Sequence, residues 1–265
     1  MIHNFDELKA MLAASPVKRR IGVVAAQDEH TLDAVTRAAR DGMVFPVLIG
    51  DPDKIKTLLA EFDYPEADAE IIPSYDITEC AQIACDLVNA GKLDCIRKGK
   101  TETGPLMKVL VNREKGIRKS DTMSMMAVMS SPNYPKIFAI TDVGLLTYPT
   151  QEQKKAAIEN AVGAFHALGI ETPKVAILAA MEKVNPKMPE CVEADAIKAE
   201  GVPGCVIEAP SVWIWLWTLK PPPSRAMTAR CQATRISWWY PISAAATCLR
   251  KLLLPLAAGP PAVRC

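Results

Sequence analysis

The sequence predicts an α/β protein with mainly parallel, doubly wound sheets. Two observations lead to this prediction. Short apolar runs alternate with amphipathic segments up to about residue 180, and N-cap residues and glycines mark the ends of several amphipathic segments. Strands and helices that alternate at this spacing form right-handed βαβ crossovers, which give a parallel sheet covered by helices on both faces. The chain has 265 residues, 49% of them hydrophobic, which is enough for one large domain or two small ones.

The predicted elements follow in order along the chain. Strands are predicted at 21–26, 45–49, 70–72, 93–96, 123–129, 136–140 and 174–180. Helices are predicted at 28–41, 53–62, 78–90, 106–110 and 150–168. Thr150 and Gln153 form a capping box at the start of the last of these helices. The turn at 130–135 is predicted to separate an N-terminal lobe, 1–135, from a second lobe, 136–212.

The composition changes abruptly near residue 209. All 30 acidic residues precede this position, whereas residues 209–265 hold seven basic residues, 8 of the 21 prolines and all five tryptophans. The net charge of +1 therefore hides an acidic body and a basic tail. The chain cannot be interpreted as one compositionally uniform protein, and residues 213–265 are predicted to be a poorly ordered tail.

The termini and cysteines exclude several classes of protein. The N-terminus lacks the basic and apolar regions of a secretory signal, and no apolar run approaches the roughly 18 residues that span a bilayer. The eight cysteines form no C-x-x-C pair and no cluster with metal-site spacing. We therefore expect a cytoplasmic protein with reduced thiols, without a metal, membrane or nucleic-acid partner. No Ser/His/Asp or Cys/His arrangement accompanies the three histidines, so the sequence assigns no catalytic residue.

The loop after the predicted strand at 93–96 is the first candidate binding site, because ligands of open α/β sheets bind outside the carboxyl ends of the strands. Lys98 and Gly99 lead into a helix, with Thr101 and Thr103 as candidate caps. A helix N-terminus beside a lysine is suited to bind phosphate. The loop lacks the residue order of a Walker A or dinucleotide-binding motif, so a capped turn with solvated lysines remains the alternative.

Two later strand ends carry further polar groups. Thr141 and Asp142 follow one strand and either bind a substrate or nucleate a turn. The loop 181–189 follows the next strand, and its prolines hold it extended, which suits pre-organised polar groups. Asn185 and Lys187 are its candidates to face a ligand, and surface charge without a role is the alternative.

These strand ends belong to longer blocks of characteristic sequence. The blocks are Ala26–Glu29, Lys98-Gly99 with Thr103, Thr141-Asp142 with Tyr148-Pro149, Asn160-Ala161, Pro173–Pro189 and Gly204–Pro210. Together they resemble the phosphate acyltransferases over residues 21–210, more closely phosphate butyryltransferase than phosphate acetyltransferase. The run from Pro173 to Pro189 is the most specific, since it is long and unusual in composition.

The resemblance implies the reaction of acyl-CoA with phosphate to give acyl phosphate and CoA, with both molecules as substrates and no cofactor. It also implies two lobes like those of isocitrate and isopropylmalate dehydrogenases, an active site in the cleft between them, and a homodimer. Lys98, Gly99 and Thr103 would contact the phosphate group. Four further residues would line the cleft: Thr141, Asp142, Asn185 and Lys187.

Two other functions remain open. One is a non-catalytic remnant that binds acyl-CoA or phosphate. The other is a decarboxylating dehydrogenase on the same scaffold, for which no paired aspartate metal site can be found after residue 208. The chain also departs from the family in two places, with Ser124-Met125 where the family often has Ser-His and Leu146 where it often has Asn. Each departure removes a polar group from the expected cleft.

The resemblance stops after Val212, and the tail is consistent with an out-of-frame translation. Tryptophan has a single codon, so the tail can be reread one base back. Residues 231–241 then permit V-P-G-D-A-D-I-L-V-V-P-D, which is close to the family stretch V-A-G-D-A-D-I-L-L-V-P-D. The second lobe would then be incomplete and would lack the late Ser-Arg-x-Asp loop of the family, so the chain is predicted to be inactive. A genuine basic tail is the alternative, although its bases are dispersed rather than clustered.

Overall fold

A computed structural model of the chain describes residues 2–131, 134–181 and 183–211, and the backbone of 235–238. The described residues form two compact units. The N-terminal unit is Asp6–Asp121, and the C-terminal unit runs from Thr122 onward together with the residues up to Phe5. The sequence placed the boundary at 135/136, whereas the structure divides before the strand Met126–Ser131.

The mixed α/β class with mainly parallel sheets is confirmed. The helices are α1 Phe5–Ala13, α2 Glu29–Arg40, α3 Pro52–Glu61, α4 Ile77–Asn89, α5 Thr103–Leu110, α6 Gln151–Ala167 and α7 Pro189–Glu200. The strands are β1 Arg19–Val24, β2 Val44–Gly50, β3 Glu70–Pro73, β4 Cys95–Lys98, β5 Met126–Ser131, β6 Tyr134–Thr141, β7 Lys174–Leu178, β8 Val206–Ser211 and β9 Arg235–Trp238. A short 3₁₀ turn, Glu66–Asp68, precedes β3.

The sheet of the N-terminal unit is entirely parallel, in the order β3-β2-β1-β4. Successive residues of β1 face opposite sides of this sheet, as a strand requires. Val23 packs with Leu32 and Ile55, so that α2 and α3 cover one face. Val24 packs with Ala81 and Leu106, so that α4 and α5 cover the other face. The sheet is therefore doubly wound, and its buried strands are apolar on both sides.

The sheet of the C-terminal unit has the order β5-β6-β9-β7-β8. β5 is antiparallel to β6, and the other pairs are parallel. Phe165 of α6 and Ile197 of α7 pack with Val175 and Ile177 of β7 in one apolar cluster. The Lys154 side chain on α6 is 2% exposed and is paired with Glu193 on α7, which joins the two helices.

Local signals placed most elements within a few residues of their observed bounds. Asp28 caps α2 by accepting a hydrogen bond from the Thr31 N–H, and the capping box of Thr150 with Gln153 starts α6 as predicted. The sequence did not predict α1, α7 or β9, and β8 was expected only from the resemblance of Gly204–Pro210 to the strand and turn that follow in the family. The four residues of β9 lie within the segment predicted to be a poorly ordered tail, and the remainder of 212–265 lies outside the described residues.

Candidate functional site

The order of the strands in the N-terminal unit reverses between β1 and β4. The chain proceeds from β1 through β2 to β3 on one side and then crosses over to β4 on the other side of β1. The connections after β1 and β4 therefore lead to helices on opposite faces of the sheet, α2 and α5. Doubly wound sheets bind ligands at this point, where the order of the strands reverses.

Gly99 lies at this reversal, directly after β4. Its N–H donates to the carbonyl of Val24, the last residue of β1, over 2.8 Å. A Cβ on Gly99 would lie 2.1 Å from the carbonyl oxygen of Ala25 and 2.8 Å from that of Val24. No side chain fits in this space, so the close approach of the two strand ends itself requires glycine.

The first turn of α5 begins beside Gly99 and lacks a side-chain cap. Its N-cap is Glu102, whose side chain accepts no hydrogen bond from the helix, and Thr103 is the first helical residue and is exposed. The first N–H groups of an uncapped helix have no partner within the helix and are suited to bind anions. The expectation that Thr101 or Thr103 caps the helix is wrong, because the N-cap position is occupied by Glu102.

Two lysines, Lys98 and Lys100, precede the start of this helix in the sequence. The Lys98 Nζ donates to the Thr101 carbonyl over 2.6 Å, which holds the ammonium next to α5. The Thr101 Oγ1 is buried without a hydrogen-bond partner. The pKa of Asp28 lies below its usual value, mainly because Thr31 donates a hydrogen bond to the carboxylate, with additional effects of the charges of His30 and Lys100. Lys98 and Lys100 thus bring two cationic groups to this edge, which also carries the carboxylates of Asp28 and Glu102.

Thr141 and Asp142 end β6 in the C-terminal unit, and both are buried, at 0% and 7% exposure. Asp142 accepts four backbone N–H bonds. Its Oδ2 accepts from Met125 over 2.7 Å, and its Oδ1 accepts from Gly144, Leu145 and Leu146 over 2.7, 2.6 and 3.2 Å. The Thr141 hydroxyl donates to the Met125 carbonyl over 3.1 Å. Both side chains therefore use their hydrogen-bonding groups to shape the loop after β6.

Asn185 has a comparable role after β7. Its Oδ1 accepts from the Lys187 N–H over 3.0 Å, and its carbonyl accepts from the Met188 N–H over 2.9 Å. This turn leads into α7, whose first residue is Pro189. The Lys187 side chain is exposed and makes no ion pair with a residue that the structure describes. The Asn185 side chain is thus used within the turn, whereas Lys187 carries an exposed charged group.

The seven predicted binding residues fall into two groups. Lys98, Gly99 and Thr103 lie together at the end of β4, in the N-terminal unit. The other four lie after β6 and β7 in the C-terminal unit: Thr141, Asp142, Asn185 and Lys187. All seven lie at or after the carboxyl ends of β4, β6 and β7.

Sequence reasoning assigned no role to a further polar pair. The Asn160 amide on α6 donates to the Ser124 hydroxyl over 3.0 Å and to the Thr122 carbonyl over 3.3 Å. The only sequence signal for this pair was that Asn160 belongs to one of the characteristic blocks. Its partners lie 36 and 38 residues away, so no local pattern connects them. The pair fixes the segment that precedes β5.

The described cysteines include none with a lowered pKa that would favour the thiolate. All five are free thiols. Burial raises the pKa of Cys205 to about 11 and also raises the pKa of Cys85, so neither forms a thiolate readily at neutral pH. The described residues also contain no group of three or more His, Cys, Asp or Glu side chains able to hold a metal ion.

Comparison with known proteins identifies the family. The family model for phosphate acetyl/butaryl transferase matches residues 74–207. The phosphate butyryltransferase of Clostridium acetobutylicum is 34% identical over 214 residues, which cover 79% of this chain and 71% of that protein. The chain belongs to the phosphate acyltransferase family. The phosphate acetyltransferase of Thermotoga maritima is 37% identical over 196 residues, covering 72% of this chain and 66% of that protein.

Solved structures of phosphotransacylases share the fold. A branched-chain phosphotransacylase from Enterococcus faecalis V583 superimposes with a TM-score of 0.72 at 21% identity, covering 89% of this chain and 84% of that chain. A phosphotransacetylase from Streptococcus pyogenes gives a TM-score of 0.72 at 16% identity, covering 95% and 87%. Among the described residues, no helix is long and apolar enough to cross a membrane.

Proposed function

We propose that this chain descends from an enzyme that converts acyl-CoA and phosphate into acyl phosphate and CoA, with a short acyl group such as butyryl. In this reaction an oxygen of hydrogen phosphate attacks the thioester carbonyl carbon, the carbon–sulfur bond breaks, and the CoA sulfur takes up the proton that hydrogen phosphate loses. The bond changes balance with acyl-CoA and hydrogen phosphate alone, so the proposal includes no cofactor. Membership of the phosphate acyltransferase family supports the proposal.

The observation that carries the proposal is the uncapped start of α5 at the reversal of strand order. In the first turn of α5, Thr103 and Gly104 have backbone N–H groups, whereas Pro105 has none. These two N–H groups and the Lys98 ammonium, held beside the helix by the Thr101 carbonyl, suit a phosphate group. Gly99 allows the ends of β1 and β4 to approach each other closely. Thr103, as the first exposed residue of the helix, adds a hydroxyl donor.

The loops of the C-terminal unit would hold the thioester. Asp142 fixes the loop after β6 through four backbone N–H groups, so we assign it a positioning role rather than direct contact. Asn185 sets the turn after β7 and thereby the direction of Lys187. A loop that is already fixed binds a ligand at a lower entropic cost than a mobile loop.

Release of CoA tests the activity. Acetyl-, butyryl- and longer acyl-CoA are incubated with the protein, with and without phosphate, and the freed thiol is detected with a thiol reagent. Thiol release that depends on phosphate, and its reversal by acyl phosphate with CoA, are expected from an active enzyme. A frame-restored protein that releases no CoA with any of these substrates would refute the assignment of activity.

A second proposal concerns the tail and the state of this particular chain. We infer that residues 213–265 are an out-of-frame translation, so that the second lobe is incomplete and the chain binds its substrates without turning them over. The family model ends at residue 207, and the last acidic residue is Glu208. The coding DNA tests this, because a −1 frame without family sequence would contradict it.

The resemblance also leads us to propose a homodimer. Sedimentation of the frame-restored protein measures its mass directly. A monomer at micromolar concentration would contradict this proposal without bearing on the proposed chemistry.

A further inference from the structure

The exposed apolar side chains of the C-terminal unit are concentrated at one edge of its sheet. From Thr122 onward, six large hydrophobic residues among those described are more than about a third exposed. Five of them follow the carboxyl end of β6 or β7 or precede β5 at the same edge: Met125, Val143, Tyr148, Met181 and Val184. Single exposed apolar residues are ordinary, whereas a group at a ligand-binding edge indicates a binding surface.

Met125 differs from the others because three hydrogen bonds fix its backbone N–H and carbonyl groups. Its N–H donates to Asp142 over 2.7 Å, and its carbonyl accepts from the Thr141 hydroxyl over 3.1 Å and from the Val143 N–H over 3.2 Å. Its side chain is nevertheless 44% exposed. The fold thus exposes the apolar Met125 side chain to solvent while hydrogen bonds hold its backbone in place.

Val143 lies next to Met125 through their backbone hydrogen bond, and its side chain is 39% exposed. The second departure from the family sequence, Leu146 in place of Asn, has a different role. Leu146 packs against the apolar core of the unit, so its loss of polarity does not affect the exposed edge. Tyr148 is also exposed, farther along this loop, but Met125 and Val143 are the two exposed apolar residues that a backbone hydrogen bond holds next to each other.

We propose that Met125 and Val143 contact the alkyl part of the acyl group and favour butyryl over acetyl. This inference rests on the proposed function. An unbranched thioether side chain adapts to alkyl chains of varied shape, which suits this role. A butyryl group has two more methylenes than an acetyl group, and burying each is worth up to about fourfold in affinity. Complete burial of both methylenes would therefore give a preference of at most about sixteenfold.

Calorimetric titration of the purified chain with butyryl-CoA, acetyl-CoA and CoA tests the proposal without requiring turnover. Met125→Ala is expected to weaken butyryl-CoA binding about fivefold and acetyl-CoA binding less than about twofold. Met125→His, which introduces the residue often found in the family, is expected to reduce the preference similarly. Met11→Ala is the matched control, because Met11 is 45% exposed on α1, and it should change neither affinity.

Methionine methyl groups labelled with carbon-13 give an independent measurement, with Met125 assigned from its replacement by leucine. Its signal should shift with butyryl-CoA, shift less with acetyl-CoA and stay unchanged with CoA. Equal weakening of both thioesters in Met125→Ala, or binding without a Met125 shift, would overturn the acyl contact and leave the proposed function intact. If no acyl-CoA binds at all, the proposed function and this inference are both refuted.

Discussion

Two of the strand ends that carry family blocks, those of β4 and β6, use their polar groups in opposite ways. At the end of β4, the first turn of α5 has no side-chain cap and the Thr101 hydroxyl has no partner, so hydrogen-bonding capacity remains for a ligand. At the end of β6, both carboxylate oxygens of Asp142 accept hydrogen bonds from backbone N–H groups. The first strand end therefore keeps hydrogen-bonding groups without partners, as the proposed phosphate site requires, and the second is a rigid support for apolar side chains. Polar residues at a strand end do not by themselves mark ligand contacts.

Removing the Asp142 carboxylate should have the largest effect and would test whether this edge is a support. Asp142→Ala leaves four N–H groups without their acceptor, so we expect the free energy of unfolding to fall by about 4 kcal/mol. Asp142→Asn keeps one acceptor oxygen and should lose less. Urea unfolding measures both. Asp121→Asn, at an ion pair whose carboxylate is 95% exposed, is the control and should change little.

Adding a methyl group at Gly99 tests the other edge. Gly99→Ala forces backbone to move, since the new Cβ would lie 2.1 Å from the Ala25 carbonyl oxygen, and should cost about 2 kcal/mol of stability. Gly104 is the matched control, because it lies inside α5 with no atom within 4 Å of the position that a Cβ would take, and Gly104→Ala should be neutral or stabilising. Equal effects of the two substitutions would show that the close approach is unimportant.

Loss of the Lys98 ammonium should affect ligand binding and leave stability almost unchanged. Lys98→Ala removes a charge-assisted donor, so phosphate affinity should fall about tenfold in a phosphate titration. Lys108→Ala, an exposed lysine in the last turn of the same helix, should leave phosphate affinity unchanged. Comparable losses in both variants would mean that only the general positive charge matters.

The cap at Asp28 should give the smallest effect, and its pH dependence follows from the lowered pKa. Because the folded-state pKa lies below the unfolded value, the stabilisation is complete above the unfolded pKa and is lost as the pH falls through the folded pKa. Asp28→Ala should cost about 1 kcal/mol at pH 7 and less at pH 3. Asp28→Asn keeps a cap that does not titrate, so its stability relative to the parent should improve on acidification. Unfolding at both pH values measures this, and a pH-independent difference would contradict it.

Local patterns in the sequence were sufficient for most of the fold. The Asp28 cap and the Thr150–Gln153 capping box act within three residues, so their effect can be identified from sequence. The helix α7 escaped prediction because Pro189 starts it without a side-chain cap. The position of β9 between β6 and β7 also escaped prediction, since it depends on pairing across about 95 residues of chain, as in Ala139 with Ile236.

The candidate site was only partly predictable for the same reason. Lys98, Gly99 and Thr103 were found because they are consecutive with a strand and a helix start. The role of Asp142 could not be found in this way, because one of its partners, Met125, is 17 residues away across an antiparallel strand pair. The division between Asp121 and Thr122 likewise follows from that pairing, which assigns β5 to the C-terminal unit.

The amino-acid order alone determined the α/β class, the helix caps and the strand ends that carry polar groups, because these depend on apolar periodicity and on hydrogen bonds between near neighbours. Tertiary structure decided which of those polar groups remain available. Only the packing of strands distant in sequence brings Ala25 against Gly99 and Met125 against Asp142, and those contacts leave one strand end open to an anion while the other is closed by its own backbone.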